Sequence, residues 1–235
     1  MSWFTRRKPR GQKPSSLLLE NGPRPSPGLE ALCRFLASSE EPAVLDLGSS
    51  SSENVTFLSR FSEKVTVDDL YRSASGEAGA RSQAFRFDES IAEHLPEGEG
   101  KFDVVLLWDL LHYFERESFE LFSVRLAELC RPEAQIYAIA SNHAELPQAP
   151  IHFKILSEDT LHYEVPPGER SSVQLTTREV ERRMALFQPL RLFQLRNGMQ
   201  EFLFRYSPPK APKAEAPKIE ASKAKPKESS PDAWR

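Results

Sequence analysis

Two rhythms of apolar and polar residues alternate along this chain. Leu29, Leu32, Phe35 and Leu36 recur at helical spacing behind Ser26-Pro27, a pair suited to cap a helix and fill its first turn. Ala43-Val44-Leu45-Asp46-Leu47-Gly48 is instead a short continuous apolar run that ends in an acid and a glycine, the pattern of a strand buried on both faces. Ser50-x-x-Glu53 predicts a capping box for a helix carrying Val55, Leu58 and Phe61. Strand patterns return at 64–69, at Gln83–Phe87 and at Phe102–Trp108, with a short helix expected at 89–95 before Pro96. A helix over about 115–130 places Phe119, Phe122, Leu126 and Leu129 on one face, and Gln135–Ala140 forms the next strand. Residues 145–175, rich in proline and polar side chains, break the alternation and read as an inserted cover. Thr176-Thr177-Arg178-Glu179 then opens a helix through Val180, Met184 and Phe187. Leu190–Arg196 and Met199–Tyr206 flank Asn197-Gly198, a hairpin signal in which both turn residues are expected at positive φ.

Five strand–helix alternations closed by a hairpin predict an α/β fold. Its sheet has seven strands, mostly parallel, with an antiparallel C-terminal hairpin, and right-handed crossovers put helices on both faces to make three layers. In such sheets ligands sit beyond the carboxyl ends of the strands. That rule selects Asp46–Ser50, Asp68 and Asp69, Asp88, and Trp108–Tyr113. The turn after the first strand aims backbone N–H groups and a positive helix end at whatever lies above it. About 20 residues on, Asp68 and Asp69 end the neighbouring strand, where a ribose diol is held in nucleotide-binding α/β folds.

With these residues the chain resembles the Rossmann-like (class I) S-adenosylmethionine-dependent methyltransferases, over roughly residues 26–206. Val44-Leu45-Asp46-Leu47-Gly48 stands at the family's first motif and Val67-Asp68-Asp69-Leu70 at its second. Phe87-Asp88 and Phe102–Asp109 fit the third and fourth strand ends. The resemblance implies a Rossmann-like methyltransferase fold with S-adenosylmethionine as cofactor. It implies that Asp46, Gly48 and Ser49 lie along the methionine part, with Ser50 also among the cofactor-binding residues, and that Asp68 or Asp69 accepts from the ribose hydroxyls. Asp88 would approach the adenine amino group, and Trp108 and Asp109 would close the floor near the sulfonium. Serines stand where the family has two further glycines. A serine resists the left-handed dihedrals that glycine adopts freely, although its hydroxyl can bind a carboxylate.

Each of these positions also has a plain structural reading. Asp46 can cap neighbouring amides, Asp69 can be a solvated strand end, Gly48 can be a turn glycine and Trp108 can be core. His112 is the candidate general base, since imidazole titrates near neutrality, and a core histidine is its alternative. His143, His152 and His162 carry weaker versions of the same choice. The competing function is a methyltransferase-fold scaffold that has lost its cofactor and works through its surface or tails. A nicotinamide oxidoreductase is disfavoured because no G-x-G-x-x-G follows the first strand.

Composition narrows the setting. The chain has 235 residues, enough for one domain with a substantial core, and 39% are hydrophobic. No apolar run reaches the roughly 18 residues a membrane span needs. Cys33 and Cys130 lack metal-ligand spacing and read as buried thiols, consistent with a cytoplasmic setting. The net charge of −3 is uneven: residues 1–14 carry +5 and 207–235 carry +3, which leaves −11 on 15–206. An acidic body gives no strong nucleic-acid signal, so the expected partner is a small-molecule or protein acceptor. Residues 1–25 are expected as a disordered basic arm, 26–206 as the folded domain with its cover at 141–175, and 207–235 as a disordered Lys/Pro/Ala/Glu tail.

Overall fold

The computed structural model describes residues 19–75, 92–93, 95–143, 145–171 and 175–208. In chain order, β1 (Gly22–Pro25) leads into α1 (Pro27–Ser38), β2 (Ala43–Asp46), α2 (Ser52–Leu58), β3 (Lys64–Val67) and α3 (Leu70–Ser75). β4 (Phe102–Trp108), a 3-10 turn at Leu110–His112, α4 (Arg116–Leu129) and β5 (Cys130–Ser141) follow. Four short strands come next, β6 (Glu145–Pro147), β7 (His152–Ser157), β8 (Thr160–Glu164) and β9 (Glu169–Ser171). α5 (Thr177–Arg183), β10 (Phe187–Gln194) and β11 (Met199–Tyr206) complete the described chain.

The main sheet has the order β10-β11-β5-β4-β2-β3. β2 runs parallel to β3 and β4, and β4 parallel to β5, while β11 lies antiparallel between β5 and β10. The expected α/β arrangement with a reversed C-terminal hairpin is therefore the one that forms, with six strands in this sheet among the described residues where seven were expected. The strand expected at Gln83–Phe87 falls outside the described residues, as do Asp88 and most of the helix expected at 89–95.

Strand alternation sorts the core into two faces. Leu45, Val105, Leu107, Ile136, Ala138, Phe202 and Phe204 pack with Phe119, Phe122, Leu126 and Leu129 of α4 and with Val180 and Met184 of α5. Val44, Val104, Leu106, Trp108, Tyr137, Ile139 and Leu203 point the other way, towards Leu29, Leu32 and Leu36 of α1 and Phe57 of α2. Phe119, Phe122, Leu126 and Leu129 are each buried, and each such burial stabilises the fold by about 1.5–3 kcal/mol. α1 starts where expected: Ser26 Oγ accepts from Leu29 N at 3.2 Å and Pro27 fills the first turn.

Several local expectations are corrected. Gly22–Pro25 is not part of a free arm: it pairs antiparallel with β8, Gly22 opposite Tyr163 and Pro25 opposite Thr160. Prolines suit this edge position, where no partner is needed on the outer side. The α2 cap is Ser51 rather than Ser50, its Oγ accepting from Asn54 N at 3.3 Å. The segment read as a cover is largely β-structure, with β1-β8-β7 in one sheet and β6-β9 paired beside it. The hairpin loop has three residues, not two. Gly198 N donates to Leu195 O at 3.1 Å and Leu195 N to Met199 O at 2.8 Å. Gly198 alone turns left-handed, at φ +80°, and Asn197 does not. A turn followed by one left-handed glycine accounts for this arrangement.

Candidate functional site

β2 lies between two parallel neighbours, so its last residue is buried by the register itself: Asp46 is opposite Val67 on β3 and Leu106 on β4. Leu47 N donates to Leu106 O, and Asp68 N to Asp46 O, carrying the pairing just past the strand ends. The Asp46 carboxylate is 1% exposed. Its Oδ1 accepts from Gly48 N at 3.0 Å and from the Trp108 indole Nε1 at 2.6 Å. Burial pushes the Asp46 carboxyl up from 3.8 to about 6, outweighing the donors from Trp108, Gly48 and Asn54; the charge of Asp69 pushes the same way. The loop then runs through Ser49 and Ser50 to the capped start of α2. Ser49 and Ser50 make no hydrogen bond among the described residues.

β3 stops at Val67, two residues short of the strand expected at 64–69, so Asp69 lies just past its end and opens α3, accepting from Arg72 N at 3.1 Å. Capping one amide leaves most of a carboxylate's acceptor sites for other donors. Asp68 contributes backbone, bridging to Asp46 through its N–H and to Leu70 through its carbonyl.

Trp108 ends β4 at φ +50°, a left-handed conformation that a bulky residue adopts at a cost on the order of 1 kcal/mol or more. The β4–β5 register shifts between Leu106 and Trp108. The rotated backbone lays the indole against the loop after β2. A Cβ on Gly48 would collide with the indole Cδ1 and come within 2.5 Å of Nε1. The indole is also stacked on Phe153, with ring centres 5.2 Å apart and planes 8° from parallel, and meets Tyr137 edge-on at 5.7 Å. The sequence brings Asp46, Gly48 and Trp108 together as expected, yet the contact that makes glycine necessary here is the indole.

The other candidates at this end of the sheet hold the cover down. Asp109, 3% exposed, accepts from Ile151 N through Oδ2 at 3.1 Å. Tyr113 OH donates to the carbonyls of Pro147 and Ala149, and Tyr71 OH to that of Gln148. The two tyrosine rings meet edge-on at 5.3 Å. His112 is buried, and its Nε2 accepts from Ser141 N at 2.8 Å. That nitrogen is engaged with the end of β5, so the geometry gives it a positioning role there. Among the described residues no group of three or more His, Cys, Asp or Glu could hold a metal ion.

Two features escaped the sequence. Asn54, in the first turn of α2 and 1% exposed, donates from Nδ2 to Phe153 O at 2.9 Å and accepts from Ile155 N at 2.8 Å, pinning β7 to α2. Its spacing of three and four residues from Phe57 and Leu58, which puts it on the apolar face of α2, was the available signal. Glu201 on β11 is fully buried; it accepts from Ser26 Oγ (2.6 Å), Tyr137 OH (2.9 Å) and Gly28 N (2.7 Å). It anchors the start of α1, and burial raises its carboxyl above the ordinary range.

Comparison with known proteins bears on this arrangement. A family model described as methyltransferase domain matches residues 45–138, a stretch running from β2 into β5 that contains Asp46, Gly48, Asp69, Trp108 and Asp109. A search of curated proteins returns no match. Among solved structures, a 1,6-didemethyltoxoflavin N1-methyltransferase from Burkholderia thailandensis, with 1,6-didemethyltoxoflavin and S-adenosylhomocysteine bound, is 16% identical. The match covers 77% of each chain with a TM-score of 0.47. An S-adenosylmethionine-dependent methyltransferase from Mesorhizobium loti is 14% identical over 74% of this chain and 95% of its own, TM-score 0.48. An N-methyltransferase from Bradyrhizobium japonicum in complex with S-adenosylhomocysteine is 13% identical over 77% and 88%, TM-score 0.47.

Proposed function

We propose that this chain, which a methyltransferase-domain family model matches over residues 45–138, is an S-adenosylmethionine-dependent methyltransferase. The observation that carries the reading is the pair of acids at adjacent parallel strands, Asp46 at the end of β2 and Asp69 two residues past the end of β3, with the Gly48–Ser51 loop running from the first into α2. The residue chemistry fits the cofactor. Ser49 and Ser50 would take the carboxylate of its methionine end, Asp46 its ammonium, and Asp69, assisted by Asp68, the ribose hydroxyls. Asp88 keeps the adenine role that the sequence implies, outside the described residues. When bound, the sulfonium supplies an already activated methyl group, so the chain has to align the attack and keep water out.

The side chains that hold the cover serve that second task. Asp109, Tyr113 and Tyr71 tie residues 147–151 over the strand ends, and Asn54 ties β7 to α2. A small-molecule or protein acceptor would enter where β6–β9 meet this edge. His112 is given no proton-transfer role, because its Nε2 is engaged with Ser141 N.

Calorimetry with S-adenosylhomocysteine tests the reading on the wild type, Trp108→Ala and Asp69→Ala. Saturable binding is expected, weakened in Asp69→Ala by about 1–3 kcal/mol, the scale of hydrogen bonds to a charged acceptor. Absence of binding to both the wild type and Trp108→Ala at millimolar ligand sinks it.

A further inference from the structure

We infer that Trp108 is the gate of this site: its indole and the methionine end of the cofactor compete for the surface of Gly48, and the residue decides whether that end can enter. The inference rests on the cofactor reading above and goes beyond it, since the family pattern places a residue at 108 without saying that it blocks the loop.

Three independent observations converge on the same side chain. The first is steric. The indole lies so close to Gly48 that even a methyl group on this glycine has no room. A ligand group packed on the glycine backbone needs more space than a methyl, so indole and ligand exclude each other. The second is chemical. The indole N–H donates to Asp46 Oδ1 at 2.6 Å, within a carboxylate that is otherwise sealed from water. An ammonium group is also an N–H donor, so an incoming amino-acid moiety replaces one donor with another and leaves no buried carboxylate unsatisfied. The exchange is therefore open to this ligand class, one that brings an ammonium, and closed to purely apolar ones.

The third is conformational. Trp108 holds φ +50° at a shift in the β4–β5 register, a backbone state that only its surroundings maintain. What maintains it is the bond to Asp46 and the stacking on Phe153 of β7, and β7 is fastened to α2 by both polar atoms of Asn54. An aromatic that served only as core would need none of the backbone strain. Releasing the indole breaks the hydrogen bond to Asp46, the stacking on Phe153 and the edge-on contact with Tyr137, and lets the backbone return to the common region. Trp108 thus links the cofactor loop to the cover: the same ring closes Gly48 and presses on Phe153.

Two measurements on the full-length protein test this. Calorimetry with S-adenosylhomocysteine compares the wild type with Trp108→Ala, which removes the occupant, and Trp108→Phe, which keeps a ring but no N–H. The indole Nε1–H resonance of Trp108, assigned by its loss in Trp108→Phe, is followed in the wild type as ligand is added. The expected result is at least tenfold tighter binding to Trp108→Ala, a smaller gain for Trp108→Phe, and a shift of the wild-type indole resonance that saturates with ligand. Equal affinities together with an unmoved resonance overturn the gate and leave the methyltransferase reading intact. Weaker binding to Trp108→Ala also overturns it, by making the indole part of the binding surface. If Trp108→Ala does not fold, Trp108→Phe and the wild-type resonance decide between the same outcomes. No binding to any form, with no resonance shift, overturns the gate and the cofactor reading together and leaves the scaffold.

Discussion

Asp46 is the residue at which burial and chemistry conflict most directly. Its carboxyl is held by the Trp108 indole and the Gly48 amide, with help from Asn54, and is nearly sealed, and burial pushes it up from 3.8 to about 6 because burial penalises the charge more than the donors favour it. The native state therefore binds a proton that the unfolded chain has already released. Stability is present in full below the unfolded value, falls as pH rises from about 4 to about 6, and is flat above that range. Two units at about 1.4 kcal/mol each put the loss near 3 kcal/mol at most. Asp46→Asn keeps an acceptor for both donors and removes the proton, so its denaturation midpoint should fall less between pH 4 and pH 6 than that of the wild type. Glu201, raised in the same direction, supplies the slope that remains. An unchanged slope in Asp46→Asn means that the carboxyl is ionised throughout. At Gly48 the expectation follows from space. Gly48→Ala drives a methyl into the indole and should cost about 1–3 kcal/mol, the scale of an overpacked core, with a perturbed Trp108 signal. Asp46 and Gly48 were legible as a pair because an acid and a glycine closing an apolar run have few other uses. The placement of Trp108 was not, because its φ and its stacking on Phe153 are set by a strand some 45 residues away, and no local pattern carries that.

Elements differ in how openly the sequence displays them. The parallel strands were readable from continuous apolar runs, since both of their faces are buried. α4 was readable from the spacing of Phe119, Phe122, Leu126 and Leu129, all now found in the core. β7 and β8 were missed although they carry a two-residue period. Phe153 and Ile155 are buried and alternate with His152 and Lys154, and Leu161 and Tyr163 alternate with His162 and Glu164. Prolines on either side, at 147, 150, 166 and 167, give the whole segment a loop-like composition that masks the hairpin between them. The cap of α2 moved by one residue because four serines in a row offer the same chemistry, and only Ser51 reaches the Asn54 amide. The union of α2 and β7 depends on Asn54. Asn54→Ala removes a donor and an acceptor and leaves Phe153 O and Ile155 N unpaired in a buried interface, which should cost about 2–4 kcal/mol. Hydrogen exchange should then quicken in β7 while β5, in the middle of the main sheet, stays protected. Equal protection of β7 in the variant means that packing of Phe153 and Ile155 alone holds the strand.

The whole molecule is a two-sided sheet in which one side also carries the site. α4 and α5 close one face. α1, α2 and the β1-β8-β7 sheet close the other, so the side chains that shape the loop after β2 belong to the same core as those of α1. The acidic body read from the charge distribution hides a buried acid at this junction, Glu201, which ties β11 to the first turn of α1 through Ser26 and Gly28. The segment before α1 is thereby part of the domain. β1 pairs with β8 from Gly22 to Pro25, Ser26 N donates to Asp159 O at 2.7 Å, and Leu19 packs against the α1-side core. Removing residues 1–25 strips β8 of one partner and exposes part of that core. The lost pairing and the burial of Leu19 together amount to roughly 2 kcal/mol. For a chain of this size that lowers the thermal midpoint by about 4–8 °C. Exchange protection should fall in β8, whose free edge then faces water, and then in β7, which has only β8 as a partner in its sheet. β2, β4 and β5 should be unaffected, since none of them pairs with β1. A midpoint within about a degree of the full chain, with β8 still protected, would mean that the cover stands without its N-terminal strand and that the folded unit begins at Ser26 after all.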